Sequence, residues 1–475
     1  MQFRWNHTQG APDYDRETGF GFVTGAVYTA DAALHIPETN SGFLPLWWYA
    51  GTPISDIRQS EYGLQATAAE ALRTEDAADR RLPVWLRIQV PGEGVYRAEI
   101  TVTGTDGGEV LVFTGRRRLA WRGVLPAGAQ QIVTAYCDVF PIVPRGQADA
   151  VASDAVNIAV VGGALSAVAL AEAPHTRRIW VCGDSTVTDQ TGELPYAPGT
   201  SYAGWGQMLP AYLPDVCITN HAHSGLTTES FLSEGHWAIV KPRLRAGDIC
   251  LFQFGHNDQK LAHLQARGGY TDRLRTYIKE TRTAGAVPVL ITPLARNSWR
   301  DPAHYNDFLA DFADAVLDLG KEEAVPVLDL HAYAMQLIRQ EGLETAKRWF
   351  YPGDYTHTND FGAYRMAGFV AGALGKAVGL PVADSPAWTP APPFAPLTPP
   401  KDCALPAPDT DPFADYDATC PQEVLTRAEA LELAIKALKL FPINVYNDLY
   451  ADIVGHETYA GTVQCAAQND LIPAA

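Results

Sequence analysis

The sequence predicts an α/β fold in which a parallel sheet is sandwiched by helices, preceded by an all-β sandwich of jelly-roll type and followed by a small helical tail domain. Three observations carry this reading. Up to about residue 171 the chain consists of short strand-like runs separated by glycine-rich turns. From residue 177 apolar runs alternate with amphipathic helical stretches. A proline-rich segment then precedes a stretch that opens with a helix cap. The domain boundaries read from these changes are 1–171, 177–382, 383–422 and 423–475.

In residues 96–103 apolar and polar side chains alternate, which places Tyr96, Ala98, Ile100 and Val102 on one face of a half-buried strand. Similar runs at 110–113, 131–135 and 156–161 are punctuated by glycine turns at 104–108 and 162–163. In the next region the runs starting at Ile179 and at 248–254, 287–292 and 325–330 read as strands, with helices expected at 270–284 and 305–319. Such βαβ units stack into a parallel sheet whose ligands sit beyond the carboxyl ends of its strands. Repeated prolines make 383–422 an extended, partly docked linker. In the tail, Thr426 and Glu429 have capping-box spacing, and Leu431, Ala434, Ile435 and Leu438 form an apolar stripe.

At 475 residues the chain exceeds what one core serves, and 47% hydrophobic against 19% charged residues argues for folded domains rather than disorder. A net charge of −18 without a basic stripe excludes nucleic acid and anionic membrane as expected partners; a neutral or weakly charged ligand fits better. Cys137, Cys182, Cys217, Cys250, Cys403, Cys420 and Cys465 are odd in number, scattered, and several lie in apolar runs. Buried free thiols are therefore expected, with no disulfide framework or zinc site. His221 and His223 alternate on what reads as a strand but have no carboxylate cluster beside them, so no metal is expected there either. The first residues lack the basic and apolar stretches of a secretion signal, and no run reaches a membrane span. A soluble cytoplasmic protein is the expectation, with the cell envelope as the alternative if the start of the chain has been trimmed.

Four polar segments supply the parts that acyl transfer needs. Gly183-Asp184-Ser185-Thr186 follows the apolar run Ile179-Trp180-Val181-Cys182, where a small-residue turn can display a serine hydroxyl at a sheet edge. By itself such a segment is more often an ordinary βα turn with a helix cap. A serine needs a base, and the base an orienting carboxylate; Asp354-Tyr355-Thr356-His357 offers both on one loop, or else a turn and a surface histidine. Oxyanion donors are available from Gly255-His256-Asn257-Asp258 and from the amide of Gly225, unless these are an Asx turn and a plain turn. All four occurring in order at strand ends favours the chemical reading.

These four blocks resemble those of the GDSL or SGNH hydrolases. Gly204-Trp205-Gly206-Gln207-Met208-Leu209-Pro210, Gln253 through Asp258, and Asp354 through Asn359 are more narrowly similar to carbohydrate esterase family 12, the rhamnogalacturonan acetylesterases. The resemblance covers roughly residues 177–381 and implies a flavodoxin-like sheet and a serine esterase that deacetylates pectic oligosaccharides through an acyl-enzyme, without metal or organic cofactor. It further implies Ser185 as nucleophile, His357 as base, Asp354 as its partner, and the Ser185 amide, Gly225 amide and Asn257 side chain as oxyanion donors. Tyr202, Trp205, His256 and Arg296, with His221 and Trp349, are expected as walls of a sugar pocket by position alone, His256 having the alternative of hydrogen-bonding the active-site loops. An acetylesterase on another glycan such as xylan, and a non-catalytic carbohydrate-binding or wall-attached protein, are the alternatives.

The region before residue 171 is similar to galactose-binding-like sandwiches, in which exposed Trp47, Trp48, Tyr49 or Trp121 would stack on sugar rings, or else sit in the core. The tail resembles one S-layer homology repeat, with Leu425-Thr426-Arg427-Ala428-Glu429 at its start. That implies a cell-wall glycan as partner, but without sister repeats packing against the other domains is the preferred reading.

Overall fold

The computed structural model describes residues 1–23, 27–28, 33–35, 43–45, 56–67, 82–143, 149–190, 192, 196–301, 304–390, 426–438, 450, 453, 459–469 and 471–472. Trp47, Trp48, Tyr49, Cys403, Cys420 and most of the 383–422 linker lie outside the described residues.

The N-terminal region is built from two large antiparallel sheets, together with a small antiparallel sheet of Val27–Tyr28, Ala33–His35 and Phe43–Pro45. One runs Gln130–Val139, Gly94–Thr103, Ala164–Glu172, Gly63–Thr67, Asp56–Ser60, with Gln2–Asn6 also paired to Ala164–Glu172. The other runs Arg118–Val124, Glu109–Thr114, Ala155–Val161, Val84–Gln89, Phe20–Phe22. Ala98, Ile100 and Val102 of the first sheet and Leu86, Ile88, Val112 and Ile158 of the second share one apolar core. Solvent meets the other face of the first sheet, where Glu99 is exposed, and this accounts for the period-2 pattern of residues 96–103.

The second sheet is buried on both faces. Its opposite side presents Trp85, Leu111, Phe113, Leu119, Ala159 and Val161 to the core of the α/β unit. A strand covered on both sides has no solvent face to supply polar residues, which is why residues 110–113 read as an unbroken apolar run. The sandwich and the α/β unit therefore share a middle layer.

The parallel sheet has the order Cys217–Asn220, Arg178–Gly183, Ile249–Gln253, Val287–Ile291, Val327–Leu328. In chain order this is 2-1-3-4-5, so the direction of strand succession reverses between the first and third strands. Three expectations are corrected here. The strand at 325–330 contracts to Val327–Leu328, because the Asp329 side chain accepts from the Ala332 amide and starts a helix at Leu330. The helix expected from residue 305 begins at Ala310, since Tyr305 pairs in a short hairpin with Trp299. The strand expected to carry His221 and His223 ends at Asn220.

His331 closes that hairpin onto the helix behind it. Its Nε2 faces Asp307 Oδ2 at 2.8 Å and its Nδ1 faces the Pro293 carbonyl at 3.0 Å. Burial acts to lower the His331 pKa, but the bond and charge of Asp307 outweigh it and raise it; burial likewise works against the Asp307 carboxylate, which His331 nonetheless holds below its usual range. The His331 contribution to stability is thus present below about pH 6.5 and lost as pH rises through its raised value, whereas that of Asp307 is lost as pH falls through its lowered one. Asp307→Asn is expected to cost roughly 2 kcal/mol near pH 6 and less near pH 9, measured as urea unfolding at both pH values.

The start of the linker is docked. Ala383 donates to the Tyr212 carbonyl at 2.8 Å, and Trp388 packs edge-on against Phe361 and Tyr364. In the tail the capping box forms, with the Thr426 amide 2.7 Å from Glu429 Oε2 and the Glu429 amide 3.3 Å from Thr426 Oγ1. Ile435 is buried against Cys465 and Ala466 of a second helix, with Leu431 beside them. Leu438 is instead 54% exposed, because the helix Arg427–Ala437 ends before it and carries it off the stripe. Among the described residues Cys137, Cys182, Cys217 and Cys250 are buried free thiols and Cys465 is buried as well, no helix is long and apolar enough to cross a membrane, and no His, Cys, Asp and Glu group is arranged to hold a metal.

Candidate active site

The site forms at the carboxyl ends of the parallel strands, beside the point where strand order reverses. Ser185 follows the first strand in a turn tied by Asp184, whose carboxylate accepts from the Thr186 amide at 2.9 Å and its hydroxyl at 2.7 Å. The Asp184 carbonyl also accepts from the Val187 and Thr188 amides. Asn257 lies just past the third strand and Gly225 past the second. Asp354 and His357 stand on the loop ahead of the helix Asp360–Val378, whose Asn359 side chain caps it by accepting from the Gly362 amide.

These segments converge. Ser185 Oγ lies 2.7 Å from His357 Nε2, and His357 Nδ1 lies 2.8 Å from Asp354 Oδ2. The other Asp354 oxygen accepts from the Thr356 amide at 2.7 Å and the His357 amide at 2.9 Å, which holds the carboxylate toward the ring. Burial pushes the Asp354 pKa up, but His357 and these amides outweigh it and keep the group below the usual carboxylate range. An ionised carboxylate at Nδ1 fixes the tautomer that leaves Nε2 able to take the serine proton.

A cavity of about 310 Å³ opens over this group, lined by Ser185, Gln190, Tyr202, Ser224, Gly225, Asn257, Asp354 and His357. Among the described residues neither the Ser185 amide nor the Gly225 amide has a hydrogen-bond partner. Gly225 has φ +87°, and a Cβ there would meet no protein atom within 4 Å, so backbone conformation selects glycine. The Asn257 side-chain amide donates one hydrogen to the Leu226 carbonyl at 2.9 Å, which orients it at the cavity wall with its second hydrogen uncommitted. Asn257→Ala is expected to lower kcat for an acetate ester by about 10²–10³-fold with little change in KM, read from steady-state kinetics.

Several expected wall residues lie elsewhere. Trp205 is buried under the site, its Nε1 donating to Gln253 Oε1 at 2.7 Å, while Gln253 in turn donates to Thr186 Oγ1. His256 is enclosed between Asp184 Oδ2 at 3.2 Å and the Leu294 carbonyl at 2.8 Å, so it braces the turns under Ser185. Arg296, His221 and Trp349 are buried and outside the cavity lining. Trp121 is half-buried against the sandwich core. Of the expected walls Tyr202 does line the cavity; its ring stacks on Tyr351 at 3.6 Å and meets His357 edge-on at 5.7 Å. Gln190 and Ser224 line it as well, and no local pattern distinguishes them from other loop residues.

Residues 181–365 match the family model described as GDSL-like lipase/acylhydrolase, a span that contains the whole constellation. Over 222 residues, 44% of this chain and 93% of the relative, the sequence is 33% identical to the rhamnogalacturonan acetylesterase RhgT of Bacillus subtilis (strain 168). The chain belongs to the GDSL-like lipase/acylhydrolase family. This acylhydrolase is also 25% identical over 368 residues to the uncharacterized esterase YxiM of the same strain, covering 74% of this chain and 82% of that protein. A crystal structure of the YxiM protein superposes with a TM-score of 0.42 at 19% identity, covering 79% of this chain and 98% of the other.

Proposed function

We propose that this acylhydrolase is a carbohydrate acetylesterase that removes acetyl groups from rhamnogalacturonan oligosaccharides through an acyl-enzyme. The observation that carries the reading is the hydroxyl, imidazole and carboxylate joined in line by two short hydrogen bonds at an open cavity. The lining of that cavity is polar, and its carboxylate, Asp354, is engaged with His357, which suits an uncharged ester on a hydroxyl-rich ligand; the similarity to RhgT supports the pectic substrate.

In the proposed reaction Ser185 Oγ attacks the acetyl carbonyl carbon while His357 Nε2 takes the hydroxyl proton. Negative charge then builds on the carbonyl oxygen, where the Ser185 and Gly225 amides and the Asn257 side chain donate to it. Collapse breaks the bond to the sugar oxygen, which leaves with the proton held by His357. A water molecule repeats the sequence on the acetyl-serine and releases acetate.

Acetate release from acetylated rhamnogalacturonan oligosaccharides and from acetylated xylo-oligosaccharides tests the proposal. A kcat/KM at least tenfold higher on the former is expected. Equal or reversed values would overturn the pectic assignment, and no release from either would overturn the esterase reading.

A further inference from the structure

We propose that Arg117, which belongs to the N-terminal sandwich, is a positioning residue that shapes the active-site cavity of the α/β unit. The inference rests on reading that cavity as the esterase site. Arg117 lies in the turn between the strands Glu109–Thr114 and Arg118–Val124. It is fully buried and holds φ +59°, a left-handed conformation that is costly for any residue but glycine. Strain of this kind persists where surrounding contacts over-determine it and clusters at functional sites.

Those contacts reach three separate segments of the α/β unit. Nη1 lies 2.8 Å from Asp360 Oδ1, with both side chains wholly buried. Nε donates to the Gln190 carbonyl at 3.2 Å, and Nη2 donates to the Tyr202 carbonyl. Gln190 and Tyr202 are both cavity walls, and Asp360 opens the helix three residues after His357. Asp360 also gathers the Tyr196 hydroxyl and the Gly199 amide, each at 2.9 Å. From Gln190 the chain of bonds continues inward, because its Nε2 donates to the Ser185 carbonyl at 2.9 Å.

The flanking arginines grip the same wall. Arg116 donates to the Asp189 carbonyl at 3.0 Å, and Arg118 pairs with Asp189 at 3.1 Å. Buried carbonyls need donors, and a buried carboxylate needs its counter-charge. A planar guanidinium meets both demands in several directions at once, whereas an ammonium on a flexible stem is a single point charge. None of the bonds described above joins Arg117 to Ser185 Oγ, His357 or Asp354. Its effect is therefore on where the walls that meet the sugar stand.

The test compares the full-length parent with Arg117→Lys on p-nitrophenyl acetate and on an acetylated oligosaccharide, alongside the melting temperature and amide hydrogen exchange of peptides covering residues 186–205. The expected result is a folded variant whose KM for the oligosaccharide rises fivefold or more, whose kcat and KM for the small ester stay within twofold, and whose 186–205 segment exchanges faster. Unchanged KM and unchanged exchange would overturn the proposal. So would an equal fall in kcat on both substrates at constant KM, which is the signature of a smaller folded fraction. If Arg117→Lys does not fold, Asp360→Asn, which removes the counter-charge and keeps the side-chain shape, is read in the same way. A parent inactive on both substrates would refute the esterase reading, while the exchange comparison would still decide the positioning role.

Discussion

Ser185→Ala is expected to lower kcat for acetyl release by about a millionfold, while oligosaccharide binding persists. Removing the hydroxyl removes the atom that would carry the acetyl group, and His357 Nε2, now 2.7 Å from an empty position, has no proton to take. What remains is the catalysis the oxyanion donors provide to a chance water, about 10³–10⁴-fold over solution. Stopped-flow or end-point acetate assays measure the loss, and calorimetric titration of the variant with oligosaccharide measures the retained binding. A variant that released acetate at the parent rate would sink the acyl-enzyme mechanism.

The second large effect is expected from Asp354→Asn, with kcat reduced about 10⁴-fold. An amide at position 354 would turn a donor or a neutral oxygen toward His357 Nδ1 in place of the carboxylate now 2.8 Å away, and the ring would lose the tautomer that leaves Nε2 free. Because the Asp354 pKa is lowered in the folded chain, the carboxylate stays ionised through neutral pH. Its stabilising contribution is present above about pH 4 and is lost only as pH falls through the lowered value. The activity ratio of parent to Asp354→Asn should therefore stay constant between pH 6 and 8. A ratio that collapsed toward one across that range would refute the orienting role.

Much of the α/β unit is legible in the sequence because its signals are local. An apolar run ending in Gly183-Asp184-Ser185 is a strand followed by a turn whatever surrounds it, and Asp354 and His357 are bonded within one loop. The exposed-face strand at residues 96–103 is legible for the same reason, since solvent on one side writes period 2 into the chain. Where tertiary burial intervenes, position near a motif misleads. Trp205 and His256 sit beside motif residues, yet packing turns both away from the cavity into hydrogen bonds with Gln253, Asp184 and Leu294. Gln190 and Ser224 reach the cavity without any pattern that marks them.

The amino-acid order by itself determined the succession of strands and helices, and placed a serine and candidate oxyanion donors at strand ends and an acid–histidine pair on one loop before a helix, because periodicity and turn chemistry act over a few residues. Only the tertiary structure decided which polar side chains face the cavity, and that the second sheet of the sandwich is covered on both sides. It also decided that Arg117 reaches partners 73 and 243 positions away along the chain. Contacts at such separations come from the packing of whole layers, and no local pattern encodes them.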